Sequence, residues 1–224
     1  MIENLVTVKR SKRARRLALR LDPVERVINL VVPHKMPIEQ AYFFAMEHEE
    51  WVRQTLEKLP TPILFTHGTT LPIFGDTITL DITIDDNLKR TTLKQYDDVL
   101  KVKTYQGDPT TRIKTHLKKI ARAGLADMAS DKADQINKAV STVSVRDTKS
   151  RWGSCSQDGS ISFSWRLIFA PYAAIDYVVA HEVAHMIHMD HSKKFWKVCE
   201  QLSCDYKVGK AWMKAHGNEL MRYG

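Results

Sequence analysis

The stretch Asp176–Trp196, DYVVAHEVAHMIHMDHSKKFW, contains four of the nine histidines of the chain and decides how its C-terminal half folds. Its centre is the pattern His-Glu-x-x-His at residues 181–185, followed by His191, ten positions after the first histidine. On a helix, His181 and His185 are four residues apart, so both imidazoles project from one face and can share a metal ion. Three imidazole ligands leave one position of a zinc ion open, as in catalytic sites. The stretch therefore predicts a zinc-binding helix over about residues 172–189.

Three further side chains on or after this helix have separate predicted roles. Glu182 lies beside the metal-binding face, where its carboxylate can act as the general base that takes a proton from a water molecule at the metal. His188 is not needed by the ligand spacing and is expected to be solvated or to support a ligand. Glu200, on a following helix, is the alternative third ligand, but the ten-residue spacing favours His191.

Composition and length limit the class of protein. The chain has 224 residues, 43% of them hydrophobic and 27% charged, which is typical of a globular protein with one large domain or two small ones. No apolar run reaches the roughly 18 residues of a membrane span, and no signal peptide is visible. The three cysteines, Cys155, Cys199 and Cys204, are sparse and odd in number, which favours reduced thiols. We therefore expect a cytoplasmic protein.

The net charge of +8 is concentrated at the N-terminus. Residues 1–20 carry one acidic side chain, Glu3, and seven basic ones: Lys9, Arg10, Lys12, Arg13, Arg15, Arg16 and Arg20. Such a cluster attracts polyanions without sequence preference, which predicts non-specific nucleic-acid binding. A solvated basic face explains the same pattern equally well.

The order of predicted elements indicates an α+β fold, with a β-rich N-terminal half and a helical C-terminal half. We expect residues 1–108 to form a β-rich part with one long helix and residues 109–224 a catalytic part, together one continuous domain. Strands are predicted at residues 4–9, 17–32, 63–66, 70–74, 77–84, 91–95, 99–104, 143–146, 151–156 and 160–165. Helices are predicted at residues 38–59, 110–138, 172–189, 195–202 and 210–220.

A second group of candidate residues surrounds the predicted hairpin, which turns at residues 157–159 just before the zinc helix. It consists of four basic side chains: Arg146, Lys149, Arg151 and Arg166. An edge strand here can bind an extended peptide through main-chain hydrogen bonds. The basic side chains can instead hold phosphates. Solvation, or pairing with acids such as Asp147 and Asp176, is the alternative without a function.

Several motifs of the chain resemble the YgjP-like metallopeptidase family. They are RWGSCS at residues 151–156, WRL at 165–167, IDYVVAHE at 175–182 and HSKKFW at 191–196, together with KRSKRARR at 9–16 and the helix around Trp51. The likeness spans nearly the whole chain. It implies a zincin-like zinc hydrolase related to the WLM and SprT-like groups, some of which act on DNA–protein crosslinks. It also implies zinc ligation by His181, His185 and His191 and a general base at Glu182.

The resemblance leaves the substrate open. A bacterial member of the family is described as a UTP pyrophosphatase, so the expected peptidase activity competes with a nucleotide pyrophosphatase at the same metal site, and with a nucleic-acid-associated protease. A structural zinc module is less favoured, because it has no need of Glu182. Metzincins place a glycine where this chain has His188, so the chain reversal before His191 is expected at Met189-Asp190.

Overall fold

The computed structural model describes residues 2–105 and 107–224 and separates into two compact units, Met1–Pro62 and Ile63–Gly224. Each unit combines strands with helices, so the predicted α+β class is confirmed, with most of the helices in the C-terminal half. The predicted parts, residues 1–108 and 109–224, differ from these units, because residues 63–108 contribute to the same apolar core as the later helices. The division of the chain by function stays a prediction.

The first unit is a three-stranded sheet with two short helices. Its central strand, β3 (Val27–Pro33), pairs parallel with β1 (Val6–Ser11) and antiparallel with β2 (Ala18–Asp22). The helices are α1 (Ile38–Glu47) and α2 (Glu49–Glu57). Alternation along β3 places Ile28, Leu30 and Val32 in an apolar core. The helices contribute Ala41, Ala45 and Val52 to the same core.

The single long helix predicted over residues 38–59 is wrong, because the chain leaves the helical conformation at His48. This residue has φ −112° and ψ 16°, and helix α2 starts directly after it. Its imidazole Nδ1 lies 2.9 Å from the carbonyl oxygen of Phe44. The ring therefore satisfies a carbonyl that the end of α1 leaves without its helical partner.

The second unit begins with a four-stranded sheet in the order β4-β5-β7-β6. Its strands are β4 (Thr70–Ile73), β5 (Asp76–Ile84), β6 (Thr92–Tyr96) and β7 (Val99–Thr104). The strand predicted at residues 63–66 is not formed, and only Ile63 makes an isolated bridge, to Tyr223. The Leu64 carbonyl instead accepts a hydrogen bond of 3.0 Å from the Thr69 hydroxyl, which uses this backbone in a turn.

A long helix and a second sheet follow. Helix α3 (Thr110–Asp134) ends four residues earlier than predicted, and Asn137 then adopts φ 53°, a left-handed conformation that asparagine tolerates. Strands β8 (Thr142–Arg146), β9 (Gly153–Cys155) and β10 (Ser160–Ser164) form a sheet in the order β8-β10-β9. Strand β10 pairs parallel with β8 and antiparallel with β9, so β9 lies at an edge.

Helix α4 (Tyr172–Ala184) carries the predicted metal-binding motif and ends five residues before the predicted end. It is buried on most sides, as expected for a helix that is apolar nearly all round. Helices α5 (Lys193–Leu202) and α6 (Tyr206–His216) follow, and in this unit short 3-10 helices occupy Trp165–Phe169 and Gly217–Arg222. Among the described residues, no helix has the length and apolar character needed to cross a membrane.

A buried ion pair fixes α4 against its neighbours. The ammonium group of Lys132, on α3, donates to the Asp176 carboxylate and to the carbonyl oxygen of Leu202, 2.6 Å away. Asp176 also accepts from the backbone N–H of Cys204 at 2.7 Å and from the Ser203 hydroxyl at 2.8 Å. Helices α3 and α4 and the loop after α5 are thereby joined at one point inside the unit.

Candidate metal centre and adjoining clefts

Three histidines converge at the C-terminal end of α4. His181 lies in its last turn, His185 is its C-cap, and His191 precedes α5. One ring nitrogen of each lies within 4.8 Å of the others, and the Nε2 atoms of His181 and His191 are 3.2 Å apart. Two ligands of a tetrahedral zinc ion, each bonded at about 2.0–2.1 Å, lie roughly 3.3 Å from each other. The three side chains therefore fit a single ion of this size.

The backbone determines which nitrogen of His185 faces this point. Its Nδ1 lies 2.9 Å from the carbonyl oxygen of His188 and can donate its proton there, which leaves Nε2 with a lone pair for a metal. His188 thus supports His185 through its main chain, and its imidazole is not part of the converging group.

A buried phenylalanine, which the sequence patterns did not single out, forms the apolar wall of the group. The ring of Phe195 lies 4.9 Å from that of His181, 4.5 Å from His185 and 4.8 Å from His191. Burial, with the nearby charges of His185 and His191, lowers the pKa of His181 to about 4. The imidazole therefore stays neutral, which is the form that binds a metal. In the sequence, Phe195 was visible only as a member of the HSKKFW motif, four residues after His191.

The chain reverses before His191 at the predicted residues, but a side-chain hydrogen bond and not an unusual backbone angle stabilises the turn. Asp190 has no left-handed backbone; its side chain instead accepts a hydrogen bond of 3.0 Å from the Ser192 N–H. Ser192 then caps α5 by accepting from the Phe195 N–H at 3.4 Å. Within the described ranges, the converging group does not include Glu200, which is exposed on α5. The geometry favours His191 over Glu200.

The carboxylate of Glu182 lies between the histidines and strand β9. It is only 6% exposed and touches Gly153, where a Cβ atom would come within 2.4 Å of Oε1. Gly153 does not have a positive φ, so a side chain at this position would be disfavoured by its contact with Glu182 and not by the backbone conformation. Burial raises the pKa of Glu182 to about 8, and the positive charge of Arg151 opposes this shift.

Strand β9 presents its open edge beside this carboxylate. The Trp152 carbonyl accepts from the Ser164 N–H, and the Ser156 N–H donates to the Ser160 carbonyl. In an antiparallel pair, alternate residues direct their main-chain groups outward, so those of Gly153 and Cys155 point away from β10. Both residues line a cleft of about 310 Å³ together with His181, Glu182, His185 and His191.

The thiol of Cys155 in this cleft is not an activated nucleophile. Burial raises its pKa to about 11, and the charges of Glu182 and Asp158 add to the shift. The group is therefore protonated at neutral pH, whereas nucleophilic attack needs the thiolate.

An adjoining cleft of about 470 Å³ shares Gly153, His181 and Glu182 with the first. Its remaining lining combines apolar side chains with three basic ones: Trp152, Tyr177, Val178, Met213, Arg151, Lys210 and Lys214. Helix α6 supplies the two lysines, which no sequence motif had marked. Gly209 permits this, because its Cα packs so close to α4 that a Cβ would lie 2.2 Å from the carbonyl oxygen of Ala173.

The four basic residues predicted as substrate contacts separate in the structure. Arg146 and Arg151 line a small cavity beside β9 with Ser154. Lys149 is exposed in the loop between β8 and β9 and is not among the residues that line the clefts described above.

Arg166 is placed differently from the other three. It is fully buried, its Nε donates to the Tyr223 carbonyl at 2.8 Å, and its guanidinium pairs with Asp147. This placement does not support a substrate contact by Arg166; pairing with Asp147 was the alternative.

A comparison with protein-family models matches residues 15–216 to the YgjP-like metallopeptidase domain. No curated protein and no solved structure matches the chain.

Proposed function

Because the chain belongs to the YgjP-like metallopeptidase family, which makes it a metal-dependent hydrolase, we propose that it uses zinc and cleaves peptide bonds. In this proposal His181, His185 and His191 hold the metal and Glu182 is the general base. The observation that carries it is the position of the Glu182 carboxylate between three converging imidazoles and the open edge of β9.

The donor set favours zinc among the metals that a hydrolase can use. Three neutral imidazoles in tetrahedral arrangement with one open position are typical of catalytic zinc. When bound, zinc supplies a Lewis acid that polarises the scissile carbonyl and makes a water molecule more acidic. The His188 carbonyl orients His185, and Phe195 excludes water from behind the three rings.

Glu182 is proposed to move the proton. Its carboxylate accepts a proton from the attacking water and returns it to the leaving nitrogen, the two steps expected of one group in general acid–base catalysis. The ionised form is needed first. Burial raises the pKa of Glu182 to about 8, the positive charge of Arg151 opposes this shift, and the charge of a bound zinc ion would lower the pKa further. Contact with Gly153 holds the carboxylate at the cleft rather than in solvent.

Strand β9 is proposed to align the substrate. An extended peptide added to its open edge would pair with the main-chain groups of Gly153 and Cys155, beside Glu182. Such pairing recognises backbone and tolerates many side chains.

A nucleotide pyrophosphatase that acts on UTP at the same metal site is the second candidate. The observation that favours it is the pair Arg146 and Arg151 in one cavity beside Ser154, since arginine forks match phosphate oxygens. A nucleic-acid-associated protease is a third reading, and it rests on the exposed basic side chains of residues 12–16.

A substrate screen of the zinc-loaded protein separates these reactions. An unstructured protein and UTP are offered in parallel to the wild type and to Arg151→Gln. We expect cleavage of the unstructured protein. Arg151→Gln should reduce this cleavage less than tenfold, because main-chain pairing does not need the guanidinium and Arg151 acts only by opposing the raised pKa of Glu182. Hydrolysis of UTP with the protein left intact, reduced roughly tenfold or more in Arg151→Gln, would instead establish the second candidate.

A further inference from the structure

We propose that the 470 Å³ cleft is a subsite for an oxyanion of the substrate, a carboxylate or phosphate joined to an apolar group, which Lys210 and Lys214 bind. The inference rests on the proposed function, since the cleft shares His181 and Glu182 with the metal centre. It names the chemistry of the substrate on this side of the reacting bond.

The charges lining the cleft favour an anion. Arg151, Lys210 and Lys214 contribute three positive charges, and among the described residues that line the cleft Glu182 is the only acidic one. In the part of the chain that the structure describes, no carboxylate forms an ion pair with Lys210 or Lys214. Uncompensated cations around a concave, partly apolar surface raise the local positive potential and concentrate anions there.

Lys210 is held in place before any ligand arrives. Its Nζ donates to the Tyr206 hydroxyl at 2.7 Å and lies 3.9 Å from the centroid of the Trp196 ring, a cation–π distance. An ammonium group has three N–H donors, so two remain for a ligand. The close crossing of α6 on α4 at Gly209 sets the distance of Lys210 from His181.

The rest of the lining indicates what carries the anion. Trp152, Tyr177, Val178 and Met213 form an apolar surface in the same cleft. The volume of about 470 Å³ lies in the range of small-molecule sites, roughly 300–1,000 Å³. A single residue-sized apolar or aromatic group with a terminal oxyanion matches both features. A peptide with a free C-terminal carboxylate and a phosphorylated substrate are the two sources of such a group.

Calorimetry with three ligands of equal size tests this subsite in the zinc-loaded protein. The ligands are 3-phenylpropanoate, its neutral amide and 2-phenylethylphosphonate, which share one phenylethyl group and contain no peptide bond. We expect an anion to bind roughly tenfold or more tightly than the amide, because an ionic hydrogen bond is lost in the neutral ligand. Tighter binding of the carboxylate would identify a peptide C-terminus as the source, and tighter binding of the phosphonate a phosphorylated substrate.

Lysine variants separate the subsite from direct binding to the metal. Lys210→Met and, independently, Lys214→Met should each weaken anion binding roughly tenfold. Lys207→Met, on the same helix but outside the cleft lining, should not change it. Zinc content and thermal melting confirm that each variant is folded and loaded.

The proposal is overturned if the amide binds as tightly as the anions, or if both cleft variants bind anions as Lys207→Met does. Because binding is measured without turnover, failure of the peptidase proposal is a separate result. A protein that cleaves no peptide but binds anions through Lys210 would refute only the proposed function.

Discussion

The Glu182 carboxylate lies against Gly153, so close that a Cβ at position 153 would come within 2.4 Å of Oε1 and 2.5 Å of Cγ. Glycine therefore joins two features that the proposed mechanism needs at one point. The strand whose open edge would align a peptide also supports the carboxylate that would move the proton. Glycine in the sequence RWGSCS is explained by the lack of space beside Glu182, since its φ is not positive.

Substitution of Gly153 by alanine should therefore impair turnover while the fold survives. The new Cβ meets a side chain that can move, so Glu182 would be displaced from the cleft and the backbone left in place. We expect kcat/KM to fall roughly tenfold or more, as for a misplaced general base, with zinc content unchanged. Ser162→Ala, on the neighbouring strand β10, is the control. Wild-type turnover in Gly153→Ala would show that this contact does not position Glu182.

Substitution of Gly209 by alanine should instead lower the stability of the fold, because the new Cβ would meet backbone atoms that cannot move aside. The clash with the Ala173 carbonyl, at 2.2 Å, cannot be relieved by a rotamer change and separates α6 from α4. Overpacking of this kind costs about 1–3 kcal/mol. Urea unfolding of Gly209→Ala measures the loss. Val208→Ala, on the same helix and 54% exposed, should change stability by roughly 0.5 kcal/mol at most. Equal stability of both variants would contradict the close helix crossing.

The pair Asp147–Arg166 should stabilise the fold rather than bind substrate. Asp147→Asn leaves the buried guanidinium without its charged partner and should cost roughly 1–2 kcal/mol, because Asp147 itself is 41% exposed and solvent screens part of the interaction. Lys118→Gln is the matched control, since Lys118 lies 3.7 Å from Asp147 and is partly exposed, and should cost only about 0–1 kcal/mol. A loss of turnover in Asp147→Asn without a loss of stability would contradict this structural role and support a substrate contact by Arg166.

The same pair predicts a pH dependence of stability. Burial alone would raise the pKa of Asp147, but the hydrogen bond and charge of Arg166, with the charge of Lys118, lower it below its ordinary value of 3.8. A carboxyl whose pKa is lowered by folding stabilises the native state above its unfolded pKa and loses that effect as pH falls through its folded pKa. The difference in melting temperature between wild type and Asp147→Asn should be constant above about pH 5 and shrink below about pH 4. A difference that keeps its full size as pH falls from 5 to 3 would contradict the ionic role.

Polyanion binding can be tested without disturbing the first unit. Strand β1 contributes Val6 to the core, so deletion of the N-terminus would remove a structural strand. The loop between β1 and β2 instead offers four exposed basic side chains: Lys12, Arg13, Arg15 and Arg16. Replacing all four by glutamine should weaken binding to a DNA duplex and reduce the slope of log affinity against log salt. An unchanged slope would mean that these residues form only a solvated face.

Local patterns explain which features could be predicted from the sequence. The His181–His185 spacing, the turn at Gly159 with φ 78° and the reversal before His191 each depend on residues close in the chain. Helix ends were less accurate, because side-chain contacts decide them. The imidazole of His48 takes the Phe44 carbonyl and divides a helix whose apolar spacing continues through it.

Features that depend on distant residues were not predictable in the same way. The burial of Arg166 depends on its contacts with Asp147 and with Tyr223, 57 positions away. Without those contacts, a basic residue beside a hairpin is predicted to be exposed to solvent. Lys210 lines the cleft beside His181 because Gly209 allows α6 to pack closely against α4. No spacing within the sequence encodes that crossing.

Zinc content measured together with turnover in the Glu182→Gln variant tests most directly whether three histidines hold the metal while Glu182 moves the proton. We expect Glu182→Gln to keep about one zinc per chain, because no ligand is removed, and to lose roughly 10²–10⁴-fold in turnover. His181→Ala/His185→Ala, measured beside it, should lose the metal. Full zinc in the double histidine variant, or wild-type turnover in Glu182→Gln, would contradict this assignment.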